Sequence, residues 1–97
     1  MKRSIFWKRP ALDRLEQTAS FIKNDNPVRA LSFIEELMRA TEQIEQFPFS
    51  GGAVPENAAF RQIIHAGYRI IYLIPDDLEI HIIAVISPYM SAREIKK

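Results

Sequence analysis

The chain of 97 residues has no cysteine, only one tryptophan and no long run of apolar residues. The lack of cysteine excludes disulfides, thiolate catalysis and a Cys-ligated metal, and it suits a reducing compartment. No apolar run approaches the ~20 residues of a membrane-spanning helix. The basic Lys2-Arg3 is followed by Ser4-Ile5-Phe6-Trp7-Lys8 rather than by the apolar stretch of a signal peptide. We therefore expect a cytoplasmic protein that has no membrane partner.

The chain also lacks an excess of either charge, because its formal net charge is only +1. A nucleic-acid-binding domain of this size is usually more basic, since phosphate contacts dominate its affinity. We therefore expect no direct contact with nucleic acid. No histidine or acidic cluster has metal-ligand spacing, and Gly51-Gly52 lacks the Lys-Ser/Thr of a phosphate loop. No metal and no cofactor are expected.

Residues 1–97 are expected to form a single domain that begins with a strand and two helices. The short, bulky stretch 3–8 predicts the strand. Pro10 suits the first position of a helix, and Asn26-Pro27 predicts the cap and the start of the second helix. Apolar residues recur at helical spacing until Phe47-Pro48 ends the pattern. The short connection between the helices predicts an antiparallel hairpin.

Three strands are predicted after a loop, at about 60–65, 68–74 and 79–87. Ala66-Gly67 supplies the first turn between them and Pro75-Asp76-Asp77 the second. The three strands would form an antiparallel meander. The prediction is therefore an α+β fold with the order β-α-α-β-β-β, in which an N-terminal strand, a helical hairpin and the meander form one small sheet.

The last two predicted strands are almost continuously apolar, which is typical of strands covered on both faces. The rest of so short a chain can cover about one face of such a sheet. We therefore expect a partner to cover the other face, through the last strand. The residues expected at this contact are Ile80, Ile82, Ala84 and Ile86.

Arg61, the run Gly67-Tyr68-Arg69-Ile70-Ile71-Tyr72 and the strand from Ile80 to Val85 together resemble the ParE/RelE superfamily of bacterial toxins. The order of the predicted elements extends this resemblance over nearly the whole chain. The resemblance implies a toxin of a type II toxin–antitoxin pair, held inactive by a cognate antitoxin in a hetero-oligomer. The four residues of the last strand then become the expected antitoxin contacts.

The superfamily has two functional branches, which differ in their targets. Resemblance to RelE-like members implies cleavage of mRNA on the ribosome, with basic residues and a tyrosine just after the last strand. Resemblance to ParE-like members implies inhibition of DNA gyrase, and many of them carry a His-Gly-Ala-Arg-like ending. Here the stretch is Ser87-Pro88-Tyr89-Met90-Ser91-Ala92-Arg93, which departs from both patterns. The absence of a basic residue directly after the strand favours the gyrase inhibitor, which is the leading interpretation, and a partner-binding module over the endoribonuclease. The alternatives are an mRNA endoribonuclease and a non-toxic partner-binding module.

The candidate residues for target binding or activity are Arg61, Arg69, Tyr89 and Arg93. An RNA-cleaving site would need cations to stabilise phosphate, which the arginines could supply, and proton transfer by Tyr89 or His65. The structural alternative is that the arginines lie on a solvated strand face and pair with acids such as Glu79. Because Arg69 interrupts an apolar strand, it should reach an acid or the rim of a pocket. No residue is assigned a catalytic role.

Overall fold

The structure, a computed structural model, describes residues 3–88 and places two long helices between a first strand and the rest of a sheet. This arrangement confirms the predicted α+β fold and adds one two-residue strand that the sequence did not predict. The elements are β1 (Ser4–Trp7), α1 (Arg9–Asp25), α2 (Pro27–Gln46), a 3-10 turn (Pro48–Ser50), β2 (Gly52–Ala53), β3 (Arg61–His65), β4 (Tyr68–Leu73) and β5 (Glu79–Ile86).

The strands form one sheet in the order β1-β5-β4-β3-β2. Strands β3, β4 and β5 make the predicted antiparallel meander. Strand β1 instead lies parallel to β5, with Ser4 opposite Glu79 and Trp7 opposite Ile82, so the complete sheet is mixed. The helical hairpin provides the long crossover that a parallel pair requires.

Asn26 separates the two helices and serves both of them. Its side-chain Oδ1 accepts a hydrogen bond of 3.0 Å from the backbone N–H of Arg29, which confirms the predicted cap of α2. Its own N–H donates to the carbonyl of Ile22 in the last turn of α1. Helix α1 begins at Arg9, one residue before Pro10. A proline is tolerated there because the N–H groups of the first turn have no partner within the helix.

The main core lies between the helical hairpin and one face of the sheet, which we call the helix face. Apolar side chains from α1 and α2 pack here against alternate residues of β4 and β5. The fully or nearly fully buried members are Ala11, Leu15, Phe33, Leu37, Ile44, Ile70, Tyr72, Ile80, Ile82 and Val85. Each large apolar side chain that is fully buried in this core stabilises the domain by about 1.5–3 kcal/mol.

The opposite face of the sheet, the open face, is partly covered by the chain itself. Val54 and Phe60 are buried there against Ile71 and Ile86. We call residues 54–60 the cover segment. The expectation that the chain covers only one face of the sheet is therefore wrong for this part of the open face. Only the remainder of the face is available to a partner.

A β-bulge in β5 decides which of its side chains lie on which face. Ile71 pairs with Ala84, but the next residue, Tyr72, pairs with Ile82, so Ile83 is an extra residue. The alternation of side chains therefore reverses at this point. The predicted partner contacts do not share one surface: Ile80 and Ile82 belong to the core under the helices, whereas Ala84 and Ile86 belong to the open-face cluster.

Candidate functional site

Arg69 lies on the open face, where it fastens the cover segment to the sheet. Its Nη1 and Nη2 donate to the two carboxylate oxygens of Glu56, at 3.0 and 2.8 Å, and its Nε donates to Oε1 of Gln62 at 2.7 Å. The prediction that Arg69 reaches an acid is confirmed, and the acid is Glu56 rather than Glu79. All three donor groups are used within the chain. The side chain acts as a bidentate clasp between β4 and the cover segment.

The ion pair also changes the proton affinity of both partners. The hydrogen bonds from Arg69 hold the pKa of the Glu56 carboxyl below its ordinary value. The same contact raises the pKa of Arg69, against the opposing effect of its partial burial. Both shifts favour the charged forms on which the ion pair depends.

Arg61, the other arginine predicted from the sequence, lies on the opposite side of the sheet from Arg69. It pairs with Tyr72, a helix-face residue, whereas Arg69 follows the alternation of Ile71 on the open face. The Nη1 atom of Arg61 donates to the carbonyls of Phe49 and Gly51, at 3.1 and 2.9 Å. Its role in the structure is to hold the backbone of the loop that follows α2.

Tyr72 also binds the backbone of the loop that follows α2. Its buried hydroxyl donates to the carbonyl of Pro48 at 2.6 Å and accepts from the N–H of Gly51 at 3.0 Å. Burial of the ring raises the pKa of this hydroxyl above its ordinary value, so it remains a neutral donor. Gly51 lies so close that a Cβ atom there would be 2.3 Å from the tyrosine oxygen. We call this arrangement of Arg61 and Tyr72 around residues 48–53 the loop clamp.

His65, the candidate proton donor or acceptor, is bound to a helix. Its Nε2 lies 2.7 Å from Oε1 of Glu36 on α2, and Oε2 of the same carboxylate accepts from Arg29. The hydrogen bond with His65, followed by that with Arg29, lowers the pKa of Glu36. His81 lies on another strand and has its own acidic neighbour, Glu79, at 2.7 Å. The two histidines therefore do not converge on a common site.

A groove of about 690 Å³ lies between the ends of the two helices and the end of the sheet. Its walls include Phe21, Ile22, Arg29, Tyr68 and Ser87. Nothing in the sequence pattern indicated it, because it is formed by residues that come together only when the hairpin packs on the sheet. Tyr89 and Arg93, predicted to contribute to activity, lie outside the described residues, as does the rest of the C-terminal stretch.

Within residues 3–88, no group of three or more His, Asp or Glu side chains is placed to hold a metal ion. None of the helices in that range is both long enough and apolar enough to cross a membrane.

Residues 5–89 match the family described as the ParE toxin of type II toxin-antitoxin system, parDE. The chain therefore belongs to the ParE toxin family. A comparison with curated protein sequences gives no significant match.

Two solved structures share the fold at low sequence identity. One is described as the chromosomal ParDE TA system from P. aeruginosa, with a TM-score of 0.76 and 18% identity, covering 89% of this chain and 96% of that chain. The other is the toxin-antitoxin complex RelBE2 from Mycobacterium tuberculosis, with a TM-score of 0.63 and 19% identity, covering 90% and 99%. At these identities the two structures establish the fold. They do not separate the ParE-like from the RelE-like target.

Proposed function

We propose that this ParE-family toxin inhibits DNA gyrase by direct binding, performs no chemistry itself and is neutralised by a cognate antitoxin. Membership of the ParE family supports the proposal. The structural observation that carries it is the engagement of Arg61 and Arg69 in contacts within the chain. Action on an intracellular enzyme requires a cytoplasmic toxin, so the cytoplasmic location is part of the same proposal.

Cleavage of RNA through its 2′-hydroxyl would need a base, an acid and cations that converge on one phosphate. Arg61 and Arg69 lie on opposite faces of the sheet, so they cannot meet at one phosphate in this fold. Each is already bound, Arg61 to backbone carbonyls and Arg69 to Glu56. His65 is bound to Glu36 on the helix side. These residues therefore favour a binding protein over a nuclease.

The direct test is a supercoiling assay with purified gyrase and the purified toxin. We expect the toxin to inhibit supercoiling, and an excess of the protein encoded beside it to restore activity if that protein is the antitoxin. Arg69→Ala should weaken inhibition, whereas Arg39→Ala, which removes an exposed positive charge on α2, should not. The Arg39 variant thus controls for the change in net charge.

Two results would redirect the proposal. Unchanged supercoiling, together with mRNA fragments in a ribosome assay, would indicate the RelE-like activity. A chain that causes no growth defect when expressed alone, yet binds the neighbouring protein, would indicate a partner-binding module without toxicity.

A further inference from the structure

Phe47 and Phe49 are two large apolar side chains that point into solvent from the loop after α2. Their exposed fractions are 59% and 62%. Single exposed apolar residues are common on protein surfaces. Two phenyl rings on a single short turn, however, form a local patch of the kind found where proteins bind each other.

Several hydrogen bonds fix the backbone that carries these two rings. The loop clamp fixes the carbonyls of Pro48, Phe49 and Gly51. The carbonyl of Phe47 accepts hydrogen bonds from both the N–H and the hydroxyl of Ser50. The chain therefore uses buried polar groups to order a turn whose apolar side chains remain outside the core. A surface ordered before binding loses less conformational entropy when a partner arrives.

Two arginine side chains lie beside the ring of Phe49. The guanidinium carbons of Arg61 and Arg3 lie 5.0 and 5.7 Å from the ring centre of Phe49. Arg3 also reaches the carbonyl of Asp76 and approaches the carboxylate of Asp77 at 3.6 Å. Arginine and aromatic side chains are the types most enriched at the energetic centres of protein interfaces. Arg3 already has Asp77 as its acidic neighbour, whereas Arg61 contacts neutral carbonyls, so the matching surface would offer an apolar pocket for the ring and acidic side chains near Arg61.

We infer that Phe47 and Phe49, presented by the loop clamp and flanked by Arg3 and Arg61, contact the protein that the toxin inhibits. The complementary surface is an apolar pocket bordered by acidic side chains. This inference rests on the proposed function, since it assigns the target-binding surface of the toxin. Arg61, one of the residues predicted from the sequence for target binding, lies beside the ring of Phe49. Its hydrogen bonds to the carbonyls of Phe49 and Gly51 hold the loop that carries the two rings.

The test is the double variant Phe47→Ala/Phe49→Ala, with Leu31→Ala as its matched control. Leu31 is exposed to the same extent, 62%, but lies on α2 and outside the groove. The three proteins are compared by thermal melting, by antitoxin binding, by inhibition of supercoiling and by growth arrest at equal expression. We expect the double variant to melt within about 2 °C of the wild type, because exposed side chains contribute little to stability. Its inhibition should be roughly tenfold weaker or more, with antitoxin affinity unchanged. Leu31→Ala should inhibit like the wild type.

Full inhibition by the double variant would overturn the inference, and so would an equal loss in Leu31→Ala. Loss of antitoxin binding with retained growth arrest would assign the rings to the antitoxin instead, which also overturns it. If the double variant melts early, Phe47→Ala alone decides, because it leaves the contacts of Phe49 with the arginines in place. Growth arrest does not presuppose gyrase. A wild type that arrests growth without affecting supercoiling refutes the gyrase proposal, while the variants still decide the role of the loop.

Discussion

A single methyl group added at Gly51 should break the loop clamp, whereas the same group added at Gly52 should not. A Cβ at Gly51 would lie 2.3 Å from the hydroxyl oxygen of Tyr72, 2.8 Å from a ring carbon of Tyr72 and 2.9 Å from the carbonyl oxygen of Gln62. Gly51 has a φ of −70°, so alanine brings no backbone strain of its own. A Cβ at Gly52 meets nothing within 4 Å. The pair of variants therefore isolates the contact with Tyr72.

The expected loss is the sum of two effects. Overpacking at a tight site costs about 1–3 kcal/mol. Displacing the Tyr72 hydroxyl removes its hydrogen bonds to Pro48 and Gly51, each with a net value of about 0.5–1.5 kcal/mol. Gly51→Ala should thus lower the free energy of unfolding by about 2–6 kcal/mol, which lowers the Tm of a domain this small by roughly 10 °C or more. Gly52→Ala should stay within about 0.5 kcal/mol of the wild type.

The Tm values of both purified variants are compared by circular dichroism, in the same buffer and without antitoxin. Because a bound antitoxin would raise the Tm of all variants, its absence has to be verified. If Gly51→Ala melts within about 2 °C of Gly52→Ala, the close packing of the loop on Tyr72 does not exist in solution and the clamp is refuted.

Four further variants test other contacts. Asn26→Ala should lower the free energy of unfolding by about 1 kcal/mol in urea titrations, because α2 loses its cap. The lowered pKa of Glu56 contributes stability that is present above 4.5, the ordinary pKa of this carboxyl, and is lost as the pH falls through the lowered value. Glu56→Gln should therefore lose less Tm than the wild type between about pH 6 and about pH 3. The raised pKa of Tyr72 contributes stability that is lost above its ordinary value of 10.0, and Tyr72→Phe should lack this alkaline decline. Arg69→Ala should remain folded in melting experiments but lose growth inhibition; a variant that melts like the wild type and still arrests growth at equal expression would refute a role of Arg69 in toxicity, whereas one that unfolds would show that Arg69 is structural.

Local signals in the sequence were sufficient to predict most of the elements. Asn26 caps α2 as its position before Pro27 indicated. Ala66 and Gly67 both have positive φ, 52° and 83°, as a two-residue hairpin turn requires. These features depend on neighbours in the chain, so the sequence displays them directly.

Features that depend on distant residues were not predictable in the same way. The bulge at Ile83 lies in an unbroken apolar run, and no polar residue marks the point where the alternation reverses. For this reason the four predicted antitoxin contacts were placed on one surface, although two of them lie beneath the helices. The burial of Phe60 and the pairing of Glu56 with Arg69 arise when a proline-containing loop folds over the sheet. Loop composition indicated only that this segment was irregular.

The parallel pairing of β1 with β5 also sets the order of events during protein synthesis. Ser4 pairs with Glu79, and both helices and three strands lie between these two residues along the chain. Strand β5 also lies between β1 and β4, so it is an interior strand that joins β1 to the rest of the sheet. The nascent chain therefore cannot complete its sheet until Glu79–Ile86 has been made. A product truncated before Glu79 would have both helices but no strand to join β1 to β4, so it should be a substrate for proteases rather than a partly active toxin.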